Sequence, residues 1–145
     1  MKRLLKTLLN IKQTVIEKIE CIGGPDVWDM ALIIHVRPTK GQLLLCPKCK
    51  KRMPYYDEGA GERDWCALDL GTLRVYLHSR SPRIQCQEHG VLVAKVSWAR
   101  NDAWFTHDFE KRVTWVSLYT SRQVVASLCR IECATVGAIV TRASL

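Results

Sequence analysis

The sequence predicts an α+β protein: a small strand-rich zinc-binding domain over residues 1–100, then a helical, helix-turn-helix-like segment over residues 101–145. Three observations carry this. Cys46-Pro47-Lys48-Cys49 and Cys86-Gln87-Glu88-His89 are two ligand pairs with metal spacing. The stretches before and between them alternate apolar and polar side chains, the period of a strand. Beyond Trp98-Ala99-Arg100 the apolar residues recur at three and four, the period of a helix.

The ligand pairs come first because they fix the architecture. Two residues between ligands let one tight turn aim both at a single centre. Zn2+ accepts thiolate and imidazole together, and Cys46, Cys49, Cys86 and His89 make a closed set of three sulfurs and one nitrogen. A closed set has no position for a reacting water, so it argues for a structural ion and against hydrolysis. Gly90 follows the second pair, where a knuckle often needs positive φ. Lys48, Lys50 and Lys51 surround the first pair and offset thiolate charge. Disulfides are the alternative use. The seven cysteines are an odd number and the basic start, Met1 to Lys6, lacks a long apolar core and a cleavage site, so a reducing cytoplasm fits better.

A chain of 145 residues suits one compact domain or two very small ones, and a metal supports a core that is marginal alone. No stretch is long and apolar enough to span a bilayer, so no membrane partner is expected. The formal charge of +8 comes from 22 basic and 14 acidic residues spread along the whole chain. Lys and Arg in such excess neutralise phosphates, which makes double-stranded DNA a candidate partner beside the plainer reading of a basic soluble surface.

Elements follow in order. Leu4, Leu5, Leu8 and Leu9 place a short amphipathic helix over 2–10. Residues 14–22 alternate, with Val15, Glu17, Ile19 and Cys21 on one face and Ile16, Lys18, Glu20 and Ile22 on the other. Gly23-Gly24-Pro25-Asp26 is a turn, and a second strand from Trp28 to Arg37 completes a hairpin. Trp65–Leu70 and Thr72–Arg80 are strands between the knuckles. The second buries Leu73, Val75 and Leu77 and shows Arg74, Tyr76, His78 and Arg80 on its other face. Arg83-Ile84-Gln85 leads into the second knuckle, and Val91–Val96 is a further strand.

The helical part begins at Thr106, an N-cap for a helix from His107 to Leu118 with Phe109, Val113, Val116 and Trp115 along its buried stripe. Ser121 caps a short helix carrying Val124, Val125 and Leu128. A turn at 130–132 leads to a last helix from Cys133 with Val136, Ile139 and Val140 apolar. Helix, short helix, tight turn, helix is the order of a helix-turn-helix. Arg130 stands where such turns usually place glycine, which predicts strain or an altered turn. The last helix reads Ala134-Thr135-Val136-Gly137-Ala138-Ile139-Val140, with Thr135 and Arg142 as its polar candidates for reading DNA. Cys129 and Cys133 read as small core residues.

With these motifs located, the chain resembles the N-terminal region of ISL-three family insertion-sequence transposases. The residues that carry the resemblance are His35-Val36-Arg37-Pro38, Cys46-Pro47-Lys48-Cys49, Arg74-Val75-Tyr76-Leu77, Pro82 to Gly90 and Val96-Ser97-Trp98-Ala99-Arg100. Val125-Ala126-Ser127-Leu128 and Thr135-Val136 match more loosely. The resemblance implies a zinc finger followed by a helix-turn-helix, recognising terminal inverted repeats. It also implies that the family's acidic catalytic domain would start where this chain stops, at Leu145, so no catalysis is expected of this chain alone.

The expected function is therefore a zinc-stabilised DNA-binding module. Arg74, Arg80, Arg83, Arg100, Thr135 and Arg142 are its candidate DNA contacts, and a homodimer or a full-length transposase its protein partner. Two other readings stand beside it. One is a zinc ribbon that binds protein as a regulator. The other is a self-contained metal-dependent nuclease using Asp57, Glu58, Glu62, Asp64 and Asp69, against which the solvated loop around Gly59 and Gly61 speaks.

Overall fold

A computed structural model describes residues 1–26 and 29–143. The chain divides into two units, Met1–Thr106 and His107–Leu145. It is α+β, with the strands among the described residues all in the first unit.

The first unit holds two sheets. Helix α1 (Lys2–Leu9) ends on Asn10 in left-handed conformation and buries Leu9, while Leu4 and Leu8 stay exposed. Strands β1 (Thr14–Ile22) and β2 (Ala31–Pro38) form the expected antiparallel hairpin, from Thr14 opposite Pro38 to Ile22 opposite Ala31. The second strand thus begins at Ala31; the predicted start at Trp28 lies outside the described residues. A bulge between Ile16 and Lys18 explains why neither face of β1 reads as purely apolar. The extra residue inverts the alternation, so Ile16 and Ile19 pack on the same core although they are three apart.

Strands β4 (Glu62–Leu70) and β5 (Leu73–Arg80) make a second antiparallel pair, and β2 joins β5 in parallel. The four-stranded order is β1-β2-β5-β4. Val75 and Leu77 are fully buried as predicted, against Ile34, Val36, Trp65 and Trp98. Trp65 and Trp98 meet edge to face at 5.4 Å between centroids.

The three-stranded sheet is the metal-bearing part. Strand β3 (Tyr55–Asp57) pairs with β6 (Arg83–Cys86), and β6 with β7 (Gly90–Val93). Strand β3 was not expected from the sequence, and β7 ends at Val93, three residues short of the expected Val96. Past that point the chain leaves the ladder: Lys95 N–H donates to the carbonyl of Leu45, which ties this exit to the first knuckle.

The second unit is helical: α2 (His107–Ser117), α3 (Arg122–Cys129) and α4 (Cys133–Ala143). Ser121 caps α3 as predicted, accepting from the Val124 amide at 3.3 Å. Helices α3 and α4 meet at 103°. Phe109 and Val113 of α2, Val125 and Ala126 of α3, and Val136 and Ile139 of α4 are buried. Trp115 is not on that stripe: it is 60% exposed and packs on Tyr119 instead. Val124 and Leu128 are exposed too, because the short helix buries only the side carrying Val125 and Ala126. Cys133 is exposed, so it is not a core residue. Arg130 takes the left-handed conformation that the turn requires, φ 57° and ψ 45°, and its N–H donates back to the Ala126 carbonyl. The turn is therefore ordinary in shape and occupied by a residue for which that shape is strained.

Candidate metal centre

Each knuckle is built by its backbone. In the first, the Cys46 N–H donates to the Lys51 carbonyl at 2.9 Å and the Lys50 N–H to the Cys46 carbonyl at 2.8 Å. A bridge between Leu45 and Arg52 closes the loop. In the second, β6 and β7 form a hairpin that sets Cys86 opposite Gly90. Pro54 and Pro82 carbonyls accept from Gln85 and Ala94, which holds the hairpin to the chain on both sides. Ile84 and Ala94 are buried beneath the sulfurs, with Leu44, Met53 and Leu92 packed around them.

The turns bring four ligand atoms together. The three sulfurs and one imidazole nitrogen lie within 4.8 Å of one another. Cys46 Sγ stands 3.7 Å and Cys86 Sγ 3.4 Å from His89 Nδ1, and Cys49 Sγ is 3.9 Å from Cys86 Sγ. Tetrahedral zinc, with Zn–S of about 2.3 Å and Zn–N of about 2.0–2.1 Å, separates its ligand atoms by roughly 3.5–3.8 Å. The cluster thus has the size of a zinc shell. Its donors also suit the ion, since a buried patch of thiols beside an imidazole has no other evident use.

The electrostatics agree. Burial opposes ionisation of Cys46, yet the amides of Cys49 and Lys48 and the thiols of Cys49 and Cys86 outweigh it and bring its thiol down to about 6. The Lys51 amide favours the Cys49 thiolate, but burial and the neighbouring sulfurs of Cys46 and Cys86 prevail and push that thiol up. Four ligands fill a tetrahedron, so the ion can hold shape and has no site for a substrate.

The predicted DNA contacts divide between the two units: Arg74, Arg80, Arg83 and Arg100 lie in the first, Thr135 and Arg142 in the second. Arg74 lies on the outer face of β5 against Tyr76, which holds its guanidinium above the usual range. Arg80 is gripped by both carboxylate oxygens of Glu58, and Arg83 by both of Asp57. Arg100 is exposed and Thr135 half-buried. Arg142 donates to Glu110 at 2.7 Å, and Glu110 is buried. The acidic cluster is likewise engaged: beside the pairs of Asp57 and Glu58, both Asp64 and Glu62 bind His78, at 2.6 and 3.0 Å. These four carboxylates neutralise cations of the sheet and do not converge on a metal. One further arginine, Arg63, stands out only in the structure. Arg63 sits over the Trp65 and Trp104 rings at 4.9 and 4.2 Å and donates to the Ala103 carbonyl, so it anchors the exit of the first unit.

Comparison with known proteins agrees with the centre. Residues 43–89 match the family described as the zinc-finger of transposase IS204/IS1001/IS1096/IS1165, and they contain all four ligands. The chain is 43% identical over 142 residues to the transposase for insertion sequence element IS1557 of Mycobacterium tuberculosis, in strains CDC 1551/Oshkosh and ATCC 25618/H37Rv alike. The alignment covers 97% of this chain and 32% of that protein, so the chain spans about a third of the length of the curated relatives it matches. No solved structure matches it. The resemblance read from the motifs is thus shown, and the metal it calls for is structural zinc.

Proposed function

We propose that this chain, which carries a transposase zinc ribbon, is a DNA-binding module that recognises the ends of an insertion sequence and has no catalytic activity of its own. The observation that carries the reading is the similarity to a transposase along nearly the whole chain, zinc ribbon and helices together. Zinc held by Cys46, Cys49, Cys86 and His89 would lock the ribbon. The ribbon in turn holds β3, β6 and β7, while β5 displays Arg74 from the adjoining sheet. The helical unit has the order and the α3–α4 crossing of a helix-turn-helix.

Electrostatics supply the affinity. Arg74 and Arg100, with Lys48, Lys50 and Lys51 at the first knuckle, face phosphate in this reading. Arg80, Arg83 and Arg142 serve mainly to hold carboxylates in place. The cytoplasm is the compartment where such thiols stay reduced and DNA is within reach.

The test is a fluorescence-anisotropy titration of zinc-loaded chain with duplex DNA at several salt concentrations. Affinity should fall steeply as salt rises, with a slope of several phosphates. Binding that ignores salt would reject the reading.

One observation favours a protein partner as a second reading. Trp115, Leu118 and Tyr119 are 60%, 73% and 72% exposed at the end of α2, more apolar surface than a solvated helix end needs. A second copy or a longer transposase would cover it, and light scattering of the chain alone and mixed with that transposase distinguishes the two.

A further inference from the structure

We infer that Arg122, at the start of α3, is the base-reading side chain of the helical unit, and that Gly137 of α4 is the seat that positions it. The inference rests on the DNA-binding reading above and names the residue that would give it sequence preference.

The difficulty is that α4 carries almost nothing able to read a base. Its exposed residues Cys133, Ala134, Ala138 and Thr141 are short, Thr135 is half-buried, and Arg142 is committed to Glu110. Arg122 answers it from the neighbouring helix. A β-carbon built on Gly137 would stand 3.1 Å from Arg122 Nη1, 3.2 Å from Cζ and 3.4 Å from Nη2. Three guanidinium atoms at nearly equal distances mean that the group lies flat against α4.

Gly137 has no backbone reason to be glycine. It sits inside a regular helix, and its φ is not in the region L residues avoid. In such a place glycine is a poorer helix former than alanine. What the missing β-carbon provides here is room for the Arg122 guanidinium. Arg122 is exposed, and among the described residues no carboxylate pairs with it, in contrast to Arg80, Arg83 and Arg142. Its planar fork is held beside α4 with donors free to grip the two acceptors of a guanine in the major groove.

A plain structural role, with Arg122 stapling α3 to α4, makes different predictions. The experiment is selection of bound duplexes from a library with a randomised core, using the zinc-loaded full chain, followed by affinity and thermal-unfolding measurements. Wild type should enrich a motif containing a G·C pair. Arg122→Ala should lose preference at that pair and bind the enriched duplex roughly 10- to 100-fold more weakly. Arg122→Lys should not restore it, since lysine lacks the fork. Gly137→Ala should weaken binding severalfold while the thermal midpoint holds or rises, because alanine displaces the guanidinium but favours the helix.

An unchanged motif and affinity in Arg122→Ala overturns the inference, and rescue by lysine overturns base reading in favour of a phosphate contact. If wild type binds duplexes with steep salt dependence but enriches no motif, the inference fails and the DNA-binding reading stands. If wild type binds no duplex, both fail.

Discussion

Lys50 and Gly90 occupy the same place in their two knuckles. Each follows the second ligand of its pair, and each has left-handed backbone, with φ of 61° and 79°. The shared conformation turns the chain back after the ligand so that both pairs aim at one centre. At Gly90 a residue without a β-carbon makes the turn at no cost. At Lys50 an ordinary L residue makes it under strain.

Gly90→Ala isolates that strain, because nothing lies within 4 Å of the β-carbon it would add. We expect a loss of about 1 kcal/mol, the cost of left-handed backbone less the gain from a stiffer unfolded chain. Lys50→Gly should stabilise by about 0.5 kcal/mol for the converse reason. Denaturant unfolding of zinc-loaded protein reads both. Equal and near-zero effects would mean that the turns are set by something other than backbone preference.

The pair of Arg142 and Glu110 ties α4 to α2 from inside the helical unit. Arg142→Ala leaves a buried carboxylate without that partner, and we expect a loss of about 2–4 kcal/mol, less at the surface end of the pair. Replacing both residues by leucine and methionine should restore most of it. Urea titrations followed by helical circular dichroism decide the matter. A loss in DNA affinity without a loss in stability would instead return Arg142 to the DNA-binding face.

His78 gives the first unit a pH dependence. Hydrogen bonding to Asp64, and next to Glu62, raises its pKa above the ordinary 6.5 against the opposing effect of burial. A raised folded pKa means the contribution is fully present below the unfolded value and is lost as pH rises through the folded one. The stability gap between wild type and His78→Gln should therefore be largest near pH 6 and close above the folded pKa. Its size should be about 0.5–1 kcal/mol, since both carboxylates are more than half exposed. A gap that widens with pH would contradict the assignment.

Much of this was legible in the sequence, and the parts that were not share a cause. The ligand pairs and the cap at Ser121 are signals within a few residues of one another. So is the alternation of β5, whereas that of β1 is broken by the bulge after Ile16. Strand β3 has only three residues, too few to show a period. The parallel pairing of β2 with β5 joins segments on either side of the first knuckle and of β4, and nothing local encodes it. Likewise, the partners that engage Arg80, Arg83 and Arg142 lie 22, 26 and 32 positions away. Basic residues could be counted from the sequence, but which of them remain available to phosphate depends on those distant carboxylates. Trp115 fell on the wrong face because a helix end that is itself exposed need not follow the stripe of its interior.

The central claim is that zinc holds a fold whose purpose is to bind DNA. Anisotropy titration of one labelled duplex with zinc-loaded chain, with chelator-treated chain and with Cys86→Ser tests it most directly. The account predicts about one zinc per chain and salt-sensitive binding by the loaded protein. It also predicts loss of binding at least tenfold, together with loss of strand structure, in the other two. Equal binding by all three, or zinc-free protein with unchanged strand content, would contradict it.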